Sequence, residues 1–199
     1  AKRSARYLLD LRLEGSFRRL DHSEIEVTVS RNGKVVARPR TKVLHWTPRL
    51  WFGLRNADLW WPRGFGEPAL YDVKVVWRDD ATRETLAEKA FRLGVKKVEL
   101  ELSDYDVATK RPGEMKFIVN GEPCFIRGTN WTPVDALHCR DRDRILPTLE
   151  LIREANCNMI RVWGGGLYEP EPFWDWCDEN GVMVWQDFCF ACPQYPQEN

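Results

Sequence analysis

Residues 156–196, NCNMIRVWGGGLYEPEPFWDWCDENGVMVWQDFCFACPQYP, decide the fold. The apolar, Met-containing residues 157–162 read as a strand that stops at Arg161 and at Trp163-Gly164-Gly165-Gly166, where three glycines free the backbone to turn. Pro170 and Pro172 then suit the first turn of a helix. Phe173, Trp174, Trp176 and Cys177 give it apolar bulk, and Gly181 suits the left-handed position after its last turn, so the spacing predicts a helix of about ten residues. Residues 182–185 follow as a continuous apolar run, the pattern of a strand covered on both faces, and end at Gln186-Asp187. Two βα units result, with Arg161, Trp163 and Asp187 at successive strand ends. In a (β/α)8 barrel such ends form the floor of the active site.

The preceding residues extend the alternation. Residues 124–128 read as a strand ending at Thr129-Asn130-Trp131, and Ile145, Leu149 and Ile152 make an i, i+4, i+7 helical stripe. Pro147 would remove a hydrogen bond from that helix unless it starts at about Arg144. Further back the period changes to two. Leu9, Leu11 and Leu13 alternate with charges, as do Ile25, Val27 and Val29 with Glu24, Glu26 and Thr28, before the turn dipeptide Asn32-Gly33 and a strand over 34–38. Tyr71, Val73, Val75 and then Phe91, Leu93, Val95 repeat it. Roughly seven short strands between Arg6 and Leu102 predict an immunoglobulin-like β-sandwich, with no cysteine there to bridge its sheets. Residues 103–113 read as a connection, followed by Phe117-Ile118-Val119 and a turn at Asn120-Gly121. The fold class is therefore multi-domain, β plus α/β: a sandwich over 1–105, then over 106–199 the N-terminal portion of a (β/α)8 barrel. Only 85 residues run from Met115 to Asn199, against about 250 for a whole barrel, so the barrel is incomplete in this chain and its open edges need further polypeptide.

Composition narrows the class. A chain that is 43% hydrophobic with ten tryptophans is not a disordered polar one. No run of 18 apolar residues would cross a membrane, and no apolar segment after Arg6 is long enough for a signal peptide. To Lys110 there are 22 Lys and Arg against 16 Asp and Glu, and from Arg111 on 8 against 14. The basic residues alternate with acids along strands and do not cluster, which fits solvated sheet faces and excludes nucleic acid as a partner. All six cysteines follow residue 123. Cys189-Phe190-Ala191-Cys192 has no second pair at zinc-site spacing, so packed, reduced thiols are expected, favouring a reducing compartment.

Leu59-Trp60-Trp61-Pro62-Arg63-Gly64-Phe65-Gly66 with Leu70-Tyr71, then Phe117-Ile118-Val119-Asn120-Gly121-Glu122-Pro123, then Arg127-Gly128-Thr129-Asn130-Trp131-Thr132-Pro133, resemble glycoside hydrolase family 2 in order and spacing. Within it, Arg161-Val162-Trp163-Gly164-Gly165-Gly166 with Tyr168-Glu169, and Trp185-Gln186-Asp187-Phe188 with Ala191-Cys192 and Tyr195-Pro196, are similar to the β-mannosidase pattern. The resemblance implies a retaining exo-hydrolase that removes terminal β-linked mannose, with no metal and no organic cofactor. Its partners would be β-mannoside oligosaccharides and the remainder of the parent polypeptide. The compartment implied by the family is cytoplasmic or lysosome-like.

Such chemistry needs two carboxyl groups about 5 to 5.5 Å apart. The family carries them as glutamates on later strands, so no catalytic residue is expected in this chain. What it can contribute is the wall of the sugar subsite. Trp163 and Asp187 carry over from the family most firmly, Trp163 as an apolar face for a pyranose ring and Asp187 as a hydroxyl acceptor. Arg161 can orient a neighbouring carboxylate by a bidentate pair, or stand as a buried ion-pair partner without touching sugar. Asn130 and Trp131 can line the first strand's end, with core packing an equal reading for Trp131 and for Trp185. Trp60, Trp61 and Trp174 are assigned to packing, and Glu169 to a helix-start charge favoured by the dipole. The glycine run lacks the Lys-Ser/Thr of a phosphate loop. The competing readings are a non-catalytic sugar-binding or structural module, and a related exo-β-glycosidase acting on glucosamine or galactose.

Overall fold

A computed structural model describes residues 3–15, 20, 22–104, 110 and 113–191 of the chain. Its described residues are mainly β, with thirteen strands and two helices. They divide into two compact units, Ala1–Leu59 with Ala69–Val95, and Trp60–Pro68 with Lys96–Asn199. The boundary drawn near residue 105 lies outside the described residues.

The first unit has two antiparallel sheets. One pairs β1 (Arg3–Asp10) with β5 (Arg49–Ala57). In the other, ordered β3-β2-β6-β7, β2 (Ser23–Arg31) is central, between β6 (Leu70–Asp79) on one side and β3 (Lys34–Ala37) and β4 (Arg40–Lys42) on the other, with β7 (Thr85–Gly94) outside β6. Asn32 and Gly33 take φ of 49° and 76° and join β2 to β3 with Arg31 opposite Lys34, the two-residue hairpin that Asn-Gly predicts. The period of two becomes a buried face. Ile25, Val27 and Val29 of β2, Leu50 and Leu54 of β5, and Tyr71, Val73 and Val75 of β6 are buried, each contributing about 1.5–3 kcal/mol when fully removed from water.

The acids alternating with that face are not simply solvated. Glu24 and Glu26 are 9% and 7% exposed, because β2 is central and long basic side chains close over them. Arg40, directly opposite on β4, and Arg78 of β6 converge on Glu26, and Arg83 pairs with Glu24.

In the second unit β8 (Val98–Leu102), β9 (Met115–Val119) and β10 (Glu122–Cys124) form an antiparallel sheet, with Asn120 and Gly121 again left-handed at the β9–β10 turn. The strand near Leu102 thus pairs outside the two sheets of the first unit. A parallel sheet follows, ordered β11 (Gly128–Trp131), β12 (Met159–Val162), β13 (Met183–Gln186), with α1 (Asp141–Glu154) and α2 (Glu171–Asn180) as the crossovers. The β, α, β, α, β order is as the periodicity predicts.

Several boundaries differ, for physical reasons. The strand expected at 124–128 lies at Gly128–Trp131, because Asn158, fully buried, takes over the bonding of the preceding residues. Its Oδ1 accepts from the Arg127 N–H at 2.9 Å and its Nδ2 donates to the Phe125 carbonyl at 3.0 Å. α1 starts at Asp141 rather than near Arg144 and carries Pro147 in its interior. Burial of Ile145, Leu149 and Ile152, together with Asp141 and Asp143 at the positive end of the helix dipole, offsets the lost bond. α2 runs ten residues and ends at Gly181, φ 68°, as expected. Residues 182–185 are covered on both faces at their start, where Val182 and Met183 are 2% and 6% exposed, and open on one face only at Trp185, which is 39% exposed.

Trp131, Ile145, Leu149, Ile152, Ile160, Val162, Phe173, Trp176, Cys177 and Val182 make the core between helices and sheet. Residues 60–68 pack within this unit. Trp60, fully buried, donates its indole N–H to the Asp178 carbonyl and lies under the Lys96 ammonium at 4.0 Å, and the Arg63 N–H reaches the Gly181 carbonyl at 2.7 Å. Among the described residues no helix is long and apolar enough to cross a membrane.

Candidate functional site

The parallel register sets Asn130, Arg161 and Trp185 side by side on adjacent strands. Alternation puts them on the face opposite Trp131, Val162 and the helices, and all three are exposed. Just past the strand ends stand Trp163 and Asp187. The ladder continues through them, with Trp163 N–H donating to the Trp131 carbonyl at 3.0 Å and Asp187 N–H to the Val162 carbonyl at 3.1 Å.

Arg161 grips Asp187 with a fork: Nη2 donates to Oδ2 at 2.7 Å and Nε to Oδ1 at 3.3 Å. The Gly164 N–H adds a third donor to Oδ2 at 3.3 Å. With the side chains 45% and 20% exposed, this pair adds little to stability. Its planar geometry instead fixes where the carboxylate points. The fork shows Arg161 holding a carboxylate, a geometry that its orienting reading and its ion-pair reading share.

None of Gly164, Gly165 and Gly166 has a positive φ. They supply close approach. A Cβ on Gly164 would lie 2.6 Å from the Phe188 carbonyl oxygen, and one on Gly165 would lie 2.1 Å from the Trp163 ring, which folds over it. The outer edge of the Trp163 ring thus rests against the loop, and the residue is 38% exposed.

Asn130, Arg161, Trp163 and Asp187 come together at one end of the sheet. Trp131 lies beneath, 3% exposed, its ring 5.1 Å from Phe173. Its indole N–H donates to Glu169 Oε1 at 2.8 Å. Glu169 is therefore more than a charge at a helix start. Burial pushes its carboxyl above the usual range, the Asp141 charge adds to that, and the Trp131 bond and His138 oppose it. Sequence reasoning missed this pairing and the role of Asn158, whose one signal was a polar residue inside an apolar strand run. Cys124, Cys157 and Cys177 are buried free thiols, and burial drives Cys177 up to about 12. Cys192 lies outside the described residues. Among those residues no group of three or more His, Cys, Asp or Glu is placed to hold a metal ion.

No family model matches the chain. It is similar to the β-mannosidase of Capra hircus, 38% identical over 143 residues, which are 71% of this chain and 16% of the relative. β-Mannosidase B of Aspergillus oryzae is 36% identical over 180 residues, 89% of this chain and 20% of the relative. The crystal structure of β-D-mannosidase from Dictyoglomus thermophilum superposes with a TM-score of 0.77 at 33% identity, over 98% of this chain and 23% of that one. A putative β-galactosidase from Bacteroides fragilis, TM-score 0.75 but 19% identical, shares the fold alone. The chain spans about a fifth of the length of the curated relatives it matches. The short motifs, their order and these likenesses agree: the chain is β-mannosidase-like, of glycoside hydrolase family 2.

Proposed function

We propose that this chain is part of a retaining exo-glycosidase that hydrolyses terminal non-reducing β-D-mannose, and that it supplies the wall of the subsite holding that sugar. Residues 1–105 are read as an immunoglobulin-like sandwich and 106–199 as the first portion of a (β/α)8 barrel. Three parallel strands backed by helices on one face, with Asn130, Arg161 and Trp185 exposed near the strand ends on the other, support the barrel reading. The catalytic glutamates come from sequence beyond Asn199, so the 199 residues alone are inactive. One glutamate protonates the leaving oxygen and the other forms the glycosyl-enzyme intermediate.

The observation that carries the reading is the Arg161–Asp187 fork beside the Trp163 ring at the strand ends. Trp163 offers its face to the apolar side of the pyranose, Asp187 accepts from ring hydroxyls in an orientation set by Arg161 and Gly164, and Asn130 adds a polar group on the first strand. Trp131 supports this wall from below. No metal or cofactor enters the reaction.

The test is hydrolysis of 4-nitrophenyl β-D-mannoside by the polypeptide carrying this chain, against the β-galactoside and β-glucosaminide. Preference for mannoside, reduced on the order of a hundredfold in kcat/KM by Asp187→Ala, is expected. Preference for another sugar would overturn the mannose assignment, and no turnover of any would favour a binding module.

A further inference from the structure

Both ends of the loop 163–169 are fastened to one residue. At its start the Trp163 N–H donates to the Trp131 carbonyl at 3.0 Å. At its end Glu169 Oε1 accepts the Trp131 indole N–H at 2.8 Å. The Glu169 carbonyl also accepts the Trp174 indole N–H at 2.7 Å, and Phe173 lies between the two indoles, 5.1 Å from one ring and 5.3 Å from the other. Glu169 thus closes a ring of aromatic residues under the loop, while Trp163 lies on its upper side over Gly165.

We propose that Glu169 is a positioning residue that sets the height and tilt of the Trp163 ring by tying the far end of its loop to Trp131. It rests on the reading of Trp163 as the sugar platform. Its effect falls on sugar binding and not on bond cleavage, since Glu169 is bonded beneath the row that faces the open side.

This role differs in kind from that of a helix-start charge. A dipole-bound charge needs only its sign, which Asp would keep and Gln would lose. A tie to the indole needs an acceptor at a fixed reach, which Gln keeps and the shorter Asp loses. The groups that face Glu169 are Trp131, Asp141 at the start of α1, and His138, itself bonded to Asp141 at 2.8 Å.

The experiment uses the polypeptide that carries this chain, with 4-nitrophenyl β-D-mannoside. Glu169→Gln should keep KM within about twofold, and Glu169→Asp and Glu169→Ala should each raise it about tenfold with little change in kcat, the scale of one buried donor left unpaired. Trp131→Phe removes the donor. Combined with Glu169→Ala it should raise KM no further than either change alone. A second readout needs no turnover. With 5-fluorotryptophan incorporated, the Trp163 fluorine resonance, assigned by Trp163→Phe, should shift in Glu169→Asp and not in Glu169→Gln. The proposal is overturned if Gln behaves like Asp, if the two effects add, or if the Trp163 resonance stays put in Glu169→Asp. A wild-type polypeptide that ignores β-mannosides would sink the substrate reading while the fluorine series still decides the loop.

Discussion

Gly164→Ala and Gly165→Ala add the same methyl group one residue apart, and the structure separates their consequences. The new Cβ at position 164 would lie 2.6 Å from the Phe188 carbonyl oxygen and 3.3 Å from Asp187 Cβ, where ordinary contact begins at 3.4 Å. The obstacle is backbone, so the loops after β12 and β13 must part by about 0.8 Å. That movement strains the bond from the Gly164 N–H to Asp187 and the one from the Ala191 N–H to the Gly164 carbonyl. Overpacking of this kind costs about 1–3 kcal/mol, which for a unit of about 100 residues is a fall in Tm of roughly 10 °C. At position 165 the Cβ would lie 2.1 to 2.5 Å from three atoms at the outer edge of the Trp163 ring. That ring is 38% exposed and can swing into solvent about two single bonds, so stability should fall by less than about 1 kcal/mol. The proposed sugar platform, however, moves by more than about 1 Å, which on that proposal lowers kcat/KM by up to about a hundredfold, chiefly through KM. Thermal melts and kcat/KM on 4-nitrophenyl β-D-mannoside should therefore split: Gly164→Ala melts early, and Gly165→Ala melts near wild type yet is catalytically poor. Equal melting losses, or wild-type kcat/KM in Gly165→Ala, would refute the reasoning.

Arg161→Lys should weaken sugar binding about tenfold while changing the unfolding free energy in urea by less than about 1 kcal/mol, because a point charge cannot reproduce the fork and the pair is partly solvated. Leu149→Ala, at a side chain with no exposure in the core under the sheet, should cost about 2–5 kcal/mol in urea denaturation. Glu169→Gln should stabilise the fold at neutral pH and not below the ordinary glutamate range. Burial raises this carboxyl in the folded state, so wild-type stability is fully present at low pH and declines as pH rises through the raised value, a loss that the amide avoids. Melts across that pH window check the sign.

Local signals were read from local residues. Asn32-Gly33 and Asn120-Gly121 are left-handed turns, Gly181 caps α2, and Ile145, Leu149 and Ile152 are the buried stripe of α1, because each outcome depends on neighbours within a few positions in the chain. What was not legible depends on distant ones. The strand at 128–131 was misplaced because Asn158, thirty residues on, bonds the backbone of residues 125–127. Glu24 and Glu26 were expected in water because nothing in their own strand says that Arg40, Arg78 and Arg83 will cover them. The residues that meet at the strand ends were legible, but the Glu169–Trp131 bond was not. Lining and core packing were equal readings for Trp131, and its 3% exposure decides for packing, while Trp163 is 38% exposed.

The parallel register yields a last consequence. Trp185 shares a row with Asn130 and Arg161 on the face away from the helices, whereas Trp163 stands past the end of its strand. If further strands close this sheet into a barrel, the row turns inward and its lower neighbours become packed, while residues beyond the strand ends stay at the rim. Trp185, 39% exposed here with the Phe117 ring 6.1 Å away, should then be shielded in the polypeptide that carries this chain, and Trp163, 38% exposed, should not. Acrylamide quenching of fluorescence, taken as the difference between wild type and Trp185→Phe or Trp163→Phe, distinguishes them. A quenchable Trp185 alongside a shielded Trp163 would mean that the sheet is covered from the other end, and that the Arg161–Asp187 fork does not face a sugar.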